Sequence, residues 1–71
     1  MLDSKLLKNK INDSGLKSSF IAEKLNMSRQ SVNKKINGIS PFTTNEAQIL
    51  TDILHLSIKE REEIFFTKKV D

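Results

Sequence analysis

Residues 15–38 read GLKSSFIAEKLNMSRQSVNKKING, and this stretch carries more structural information than any other part of the chain. Its apolar residues form two groups at helical spacing, Ile21, Ala22 and Leu25 and then Val32 and Ile36. Residues three and four apart share one face of an α-helix, so each group predicts a short helix with one buried side. The polar residues between the groups, 26–28, predict a three-residue turn that joins the two helices.

The second of these helices carries side chains suited to the edges of DNA bases. Ser28 is a good N-cap residue and precedes the helix. Its outward-facing residues are Arg29, Gln30, Ser31, Asn33 and Lys34. An α-helix fits the major groove of B-DNA, where a glutamine amide can bind adenine and an arginine can bind guanine. The pattern is that of a helix-turn-helix, and we predict these five residues as base contacts. For Asn33, and for Lys35, the alternative is a solvated flank of the helix.

The segment resembles the lambda-repressor-like helix-turn-helix family, which includes the Cro-type and CI-type phage regulators. The matching features are the small Ala22, Leu25 and Met27 around the turn, Ser28 before the second helix, Val32 facing inward and Gly38 after the end of that helix. Two positions depart from the family. Asn26 replaces the usual turn glycine, although asparagine tolerates a left-handed backbone. Lys35 stands where many relatives bury an apolar residue, and Ile36 could take over that packing. The resemblance extends more weakly to about residue 66.

The resemblance also implies where the DNA backbone would be bound. In the family, the start of the first helix of the pair faces the phosphates and usually holds a glutamine. Here a lysine and two serines stand there, and they can bind phosphate through charge and hydrogen bonds. The chain after the second helix is a further expected contact. The expected phosphate contacts are Lys17, Ser18, Ser19, Ser28, Asn37 and Ser40.

The remaining pattern predicts an all-α fold of five short helices. We expect the first helix from about residue 4 to 12, capped by Asp3 or Ser4, and the helix pair at about 18–25 and 29–37. Capping-box spacings at Thr43/Glu46 and Ser57/Glu60 predict helices at about 44–54 and 58–66. Leu7 and Ile11 should face inward, Gly15 should end the first helix, and Ile39 and Phe42 should turn into the core from a loop. No segment alternates with period two, so no sheet is expected. The resemblance makes this a compact lambda-repressor-like DNA-binding domain.

Length and composition exclude several other classes of protein. A chain of 71 residues predicts a single domain, 1–71, with 67–71 as a frayed tail. Without cysteine, neither a disulfide framework nor a cysteine-based zinc site can form. No apolar run approaches the ~18 residues of a membrane span, and no signal-peptide core is present at the N-terminus. We therefore expect a cytoplasmic protein, in a bacterial host cell if the phage resemblance holds, with no membrane partner.

The charge is unevenly distributed along the chain. Residues 1–38 carry eight Lys/Arg and three Asp/Glu, a net charge of +5, whereas residues 39–71 carry four and six, a net charge of −2. The basic half contains the predicted helix pair, as expected for a domain that binds a polyanion on one side. The alternative is an ordinary solvated basic surface.

An enzyme is not expected. The chain has one histidine, His55, which is predicted to lie exposed at a helix C-terminus, and no acidic cluster accompanies it in the sequence. Two isolated glycines cannot build a phosphate-binding loop. We therefore predict no catalytic residue, no metal site and no cofactor.

Ile64, Phe65 and Phe66 are three large apolar residues in succession. They point about 100° apart on a helix, so one core-facing stripe cannot bury all three. We predict a protein interface at these residues, with Phe65 or Phe66 exposed in the monomer. The alternative is that both rings fold onto the first helix beside Leu2 and Leu6.

Two main functions follow from these observations. The first, implied by the resemblance, is a Cro-type repressor of a phage or prophage lysogeny switch, which binds a double-stranded DNA operator. Palindromic operators require a homodimer. The second is an antirepressor or modulator that uses the same fold to bind a partner repressor protein through its acidic C-terminal half. A third, an antitoxin-like regulator, would need a toxin-binding tail, and only about five residues follow the predicted last helix.

Overall fold

Five α-helices make up the part of the chain that the computed structural model describes, residues 2–66. They are α1 (Ser4–Ser14), α2 (Ser18–Leu25), α3 (Arg29–Ile36), α4 (Thr44–Ile53) and α5 (Ile58–Phe65), and residues 2–66 contain no strand. The all-α prediction is confirmed, with α1 two residues longer than expected and α3 to α5 each one residue shorter. The Cα radius of gyration, 11.3 Å, matches the value of about 11 Å for a compact chain of this length. The predicted tail at 67–71 lies outside the described residues.

Side-chain caps begin four of the five helices. The caps are Asp3 of α1, Ser28 of α3, Thr43 of α4 and Ser57 of α5. At the start of α4 and α5, the third helical residue, Glu46 or Glu60, also accepts a hydrogen bond from the N–H of the cap residue. Both predicted capping boxes are therefore present. Only α2 begins without a side-chain cap, after Lys17.

Residues in the left-handed conformation end the first four helices. Gly15, Asn26, Gly38 and His55 have φ angles of 73°, 55°, 79° and 53°. This conformation reverses the chain, so that later N–H groups can bind the last helical carbonyls. After Asn26, for example, the Met27 N–H donates to the Ala22 carbonyl at 3.0 Å. The expected roles of Gly15, Asn26 and Gly38 are confirmed.

Every helix contributes to the core. The buried apolar residues are Leu7, Ile21, Ala22, Leu25, Val32, Ala47, Leu50 and Ile64. Leu50 of α4 belongs to one cluster with Val32 and the three buried residues of α2, and Ile11, Ile36 and Phe42 pack against that cluster. Ala22 lies within it as predicted, and Ile36 takes up the packing expected of it. Within residues 2–66, no helix combines the length and the apolar character needed to cross a lipid bilayer.

The prediction that Ile39 turns into the core was wrong. Its side chain is 73% exposed. Gly38 reverses the chain after α3, and the Ile39 N–H then donates to the Lys34 carbonyl at 2.9 Å. This bond holds Ile39 against the outside of the last turn of α3, and only Phe42 returns to the core.

Two lysine–glutamate pairs connect helices that are distant in sequence. Lys10 of α1 pairs with Glu60 of α5, and Lys35 of α3 pairs with Glu46 of α4. The hydrogen bond from Lys10, followed by that from the Ser57 N–H, lowers the pKa of Glu60 to about 2. The same bond to Glu60 raises the pKa of Lys10. In each pair the glutamate is also the capping-box residue, so it fastens a helix start to a second helix.

Candidate functional site

The exposed face of α3 brings most of the predicted base contacts together. Arg29, Gln30, Asn33 and Lys34 are exposed, whereas Val32 is fully buried and orients the helix. At 3.6 residues per turn the four exposed side chains span an arc of about 140°. Within residues 2–66, no side-chain hydrogen bond or ion pair engages Arg29, Gln30 or Lys34. Their polar groups are therefore available to a ligand.

The serines at the start of α3 are engaged in capping it. Ser28 Oγ accepts from the Ser31 N–H at 3.1 Å, and the hydroxyl of Ser28 donates to Ser31 Oγ at 3.0 Å. The hydroxyl hydrogen of Ser31 stays available to donate. Ser31 can therefore still donate one hydrogen bond to a base through its hydroxyl and accept another through its remaining lone pair, whereas Ser28 serves mainly the helix.

The start of α2 offers unpaired backbone donors. Lys17, Ser18 and Ser19 are exposed, and no side chain caps this end of the helix. In the described part of the chain, the N–H groups of Ser18, Ser19 and Phe20 have no acceptor, because the first helical bond is that of Ile21 to Lys17. Free N–H groups and the positive end of the helix dipole favour an anion such as phosphate.

A surface groove of about 460 Å³ joins the start of α2 to the end of α3. Ser18, Asn33 and Asn37 line it together with Lys8 of α1. The Asn37 side chain already makes one hydrogen bond, because its Nδ2 donates to the Asn33 carbonyl at 2.8 Å. Lys8 is not among the contacts predicted from the sequence, which all lie outside α1. The available signal was that Lys8 and Asn12 lie four apart, which makes a polar face beside the buried Leu7.

Ser40 lies apart from this groove. It is half-buried beyond Gly38 and lines a second cavity, of about 310 Å³, together with Phe42, Phe65 and Phe66. The predicted phosphate contacts at Lys17 to Ser19 and at Ser40 are thus not gathered in one pocket.

The three apolar residues that end α5 have different environments. Ile64 is fully buried, so the inclusion of Ile64 in the predicted interface is corrected. Phe65 is half-buried and makes an edge-to-face contact with Phe42, with ring centroids 5.6 Å apart. Phe66 is 50% exposed, and the Arg61 guanidinium lies 5.4 Å from its ring centroid. The expected exposed aromatic residue is therefore Phe66, and Phe65 packs on the α3–α4 loop.

His55 is exposed at the end of α4, as predicted. Among residues 2–66, no three His, Cys, Asp or Glu side chains lie close enough together to hold a metal ion.

Comparison of the chain with protein-family models, with curated proteins and with solved structures finds no significant match.

Proposed function

We propose that the protein is a sequence-specific DNA-binding transcriptional regulator, in which α2 and α3 act as a helix-turn-helix and α3 enters the major groove. The observation that carries the proposal is the unpartnered polar face of α3, which lies beside the uncapped start of α2. The side chains on the exposed face of α3 suit base edges, and the free N–H groups at the start of α2 suit phosphate.

Each exposed group has a role in this proposal. Gln30 and Arg29 lie in the first turn of α3, the part of a recognition helix that usually contacts bases, and Lys34 follows one turn later. Asn33 and Ser31 add secondary contacts. Phosphate would be bound by Lys17, by the hydroxyls of Ser18 and Ser19 and by the free N–H groups of α2. The resemblance to Cro-type regulators supports a repressor of a phage or prophage lysogeny switch, which binds its operator as a homodimer.

The alternative is an antirepressor that binds a partner repressor protein. The observation that favours it is the exposed Phe66 on the half of the chain that is net acidic. This function requires contact with a second kind of protein chain, which the DNA-binding function does not. It is tested by sedimentation of the chain with the product of a neighbouring repressor gene.

The experiment that tests DNA binding has two steps. A duplex site is first selected by the wild type from a random pool and from the DNA that flanks its own gene. Affinity for this duplex and for a scrambled duplex is then measured by fluorescence anisotropy at several salt concentrations. The proposal expects a selected site with clear preference over the scrambled one. Absence of any preferred duplex would contradict it.

Variants separate the two kinds of contact. Gln30→Ala should cost roughly 1–3 kcal/mol on the selected duplex and relax the preference at one base pair. Lys17→Ala should weaken binding to both duplexes alike and reduce the salt slope by about one unit. Lys59→Ala, which removes an exposed lysine of α5, is the charge-matched control. If the Gln30 and Lys17 variants change both duplexes equally, the assigned roles are wrong.

A further inference from the structure

Neighbouring lysines at the end of α3 have different surroundings. Lys34 is exposed, whereas the side chain of Lys35 is only 17% exposed and its Nζ donates to Glu46 Oε1 at 2.5 Å. The Glu46 side chain is similarly covered, at 15%. This pair is the one side-chain hydrogen bond between α3 and α4 in residues 2–66.

Glu46 is held from two sides. The Oε1 atom that binds Lys35 also accepts from the Thr43 N–H at 2.9 Å, and Thr43 Oγ1 accepts from the Glu46 N–H at 3.1 Å. Burial alone would raise the pKa of this carboxyl group, but the bonds from Lys35 and Thr43 outweigh it, and the pKa is lowered. Glu46 is thus a fixed, ionised anchor at the start of α4.

The packing of α3 is mainly against α2 and α1. In its eight residues only Val32 is fully buried, with Ile36 half-buried beside the core. These contacts restrain the sides of α3 that face α2 and α1, and the turn at 26–28 restrains its first residue. Lys35 lies one turn beyond Val32, at the far end of the helix, where the directional ion pair with Glu46 adds a restraint from α4.

We propose that the Lys35–Glu46 pair is a positioning contact, which sets the angle at which α3 presents Arg29, Gln30 and Lys34 and so controls sequence discrimination without touching DNA. The inference rests on the proposed DNA-binding function. Two-bond contacts to a base edge depend on angle, whereas phosphate attraction depends mainly on charge. Loss of the pair should therefore reduce discrimination more than it reduces overall affinity.

The chain provides a matched control for this test. In the Lys35→Met/Glu46→Gln double variant, methionine keeps the apolar stem, glutamine keeps the capping box and the net charge is unchanged. The Lys10→Met/Glu60→Gln variant makes the same chemical change in the pair that joins α1 to α5. Both variants are compared under conditions in which far-UV circular dichroism shows them folded.

The first measurement is the ratio of affinities for the selected and scrambled duplexes. The Lys35/Glu46 variant should lower this ratio by about tenfold, the discrimination that one bidentate base contact supplies. The Lys10/Glu60 variant should change it by less than about twofold, because it leaves that base contact intact. Lys35→Arg, which keeps the charge, should retain most of the ratio. Equal losses in both double variants, or no loss in either, would overturn the proposal.

The second measurement needs no DNA. Residual dipolar couplings report the orientation of the α3 N–H bonds relative to those of α2 and α4, and they should change in the Lys35/Glu46 variant alone. Unchanged couplings would overturn the inference even if DNA binding is confirmed. If the couplings change in the Lys35/Glu46 variant but the wild type prefers no duplex, the proposed function is refuted, whereas the role of the pair in orienting α3 is supported. If the double variant does not fold, Glu46→Gln alone replaces it in both measurements, with a smaller change in the same direction expected.

Discussion

Replacing His55 with glycine should make the protein more stable. A left-handed backbone costs a residue with a Cβ about 1–2 kcal/mol. His55 has a φ of 53°, and its exposed side chain has no hydrogen-bond partner within residues 2–66. Glycine removes the backbone cost. It also gives the unfolded chain more conformational freedom, which lowers the stability by roughly 0.4–1 kcal/mol. The net gain is about 1 kcal/mol, or roughly 4–8 °C in Tm for a domain of this size. Asn26→Gly should gain less, because asparagine adopts this conformation more readily.

The reverse substitutions supply matched controls. Gly15→Ala and Gly38→Ala place a Cβ at φ angles of 73° and 79° and should each destabilise the fold by about 1 kcal/mol. At Gly15 an added Cβ meets nothing within 4 Å, whereas at Gly38 it lies 3.3 Å from Ser4 Oγ. Gly38→Ala should therefore be the more harmful of the two.

The assay is urea unfolding followed by far-UV circular dichroism, with the free energy of unfolding extrapolated to water. The expected order of stability is His55→Gly, wild type, Gly15→Ala and Gly38→Ala. If His55→Gly is less stable than the wild type, the left-handed backbone is not the cost that glycine removes there, and the reasoning fails.

Three further predictions concern the core, the acid response and the exposed aromatic residue. Ala22→Leu should overpack the α2–α3 contact and lower the free energy of unfolding by about 1–3 kcal/mol. Glu23→Leu, on the exposed side of α2, should change it by less than about 0.5 kcal/mol. Equal thermal midpoints for the two variants would contradict the packing. Folding lowers the pKa of Glu60 from 4.5 to about 2 and also lowers that of Glu46, so the unfolded chain binds more protons as the pH falls. Stability measured by urea unfolding should therefore fall between about pH 4.5 and 2, and Glu60→Gln should be less stable than wild type at pH 7 with a gap that closes towards pH 2; a constant gap would refute this. Phe66→Ser should weaken self-association in sedimentation without unfolding the chain, whereas Phe65→Ser should destabilise the fold through loss of the Phe42 contact; if Phe66→Ser associates like wild type, the interface lies elsewhere.

The helices and their ends could be predicted from the sequence because the interactions that form them are local. Both capping boxes connect residues three apart, and the hydrogen bonds at the left-handed ends connect residues no more than six apart. Helical periodicity likewise places Gln30 and Lys34 on the side of α3 opposite Val32. The side chains of the candidate site that lie together on α3 could therefore be predicted from the sequence.

Contacts between distant residues were decided only by the tertiary structure. Phe65 packs on Phe42, 23 residues away, because the α3–α4 loop crosses the end of α5. The groove that places Lys8 beside Ser18 depends on how α1, α2 and α3 pack together. The sequence by itself determined which faces of each helix are polar, since that depends on a period of 3.6 residues. Packing between helices determined which of those faces meet, because it depends on the shapes of all the buried side chains together.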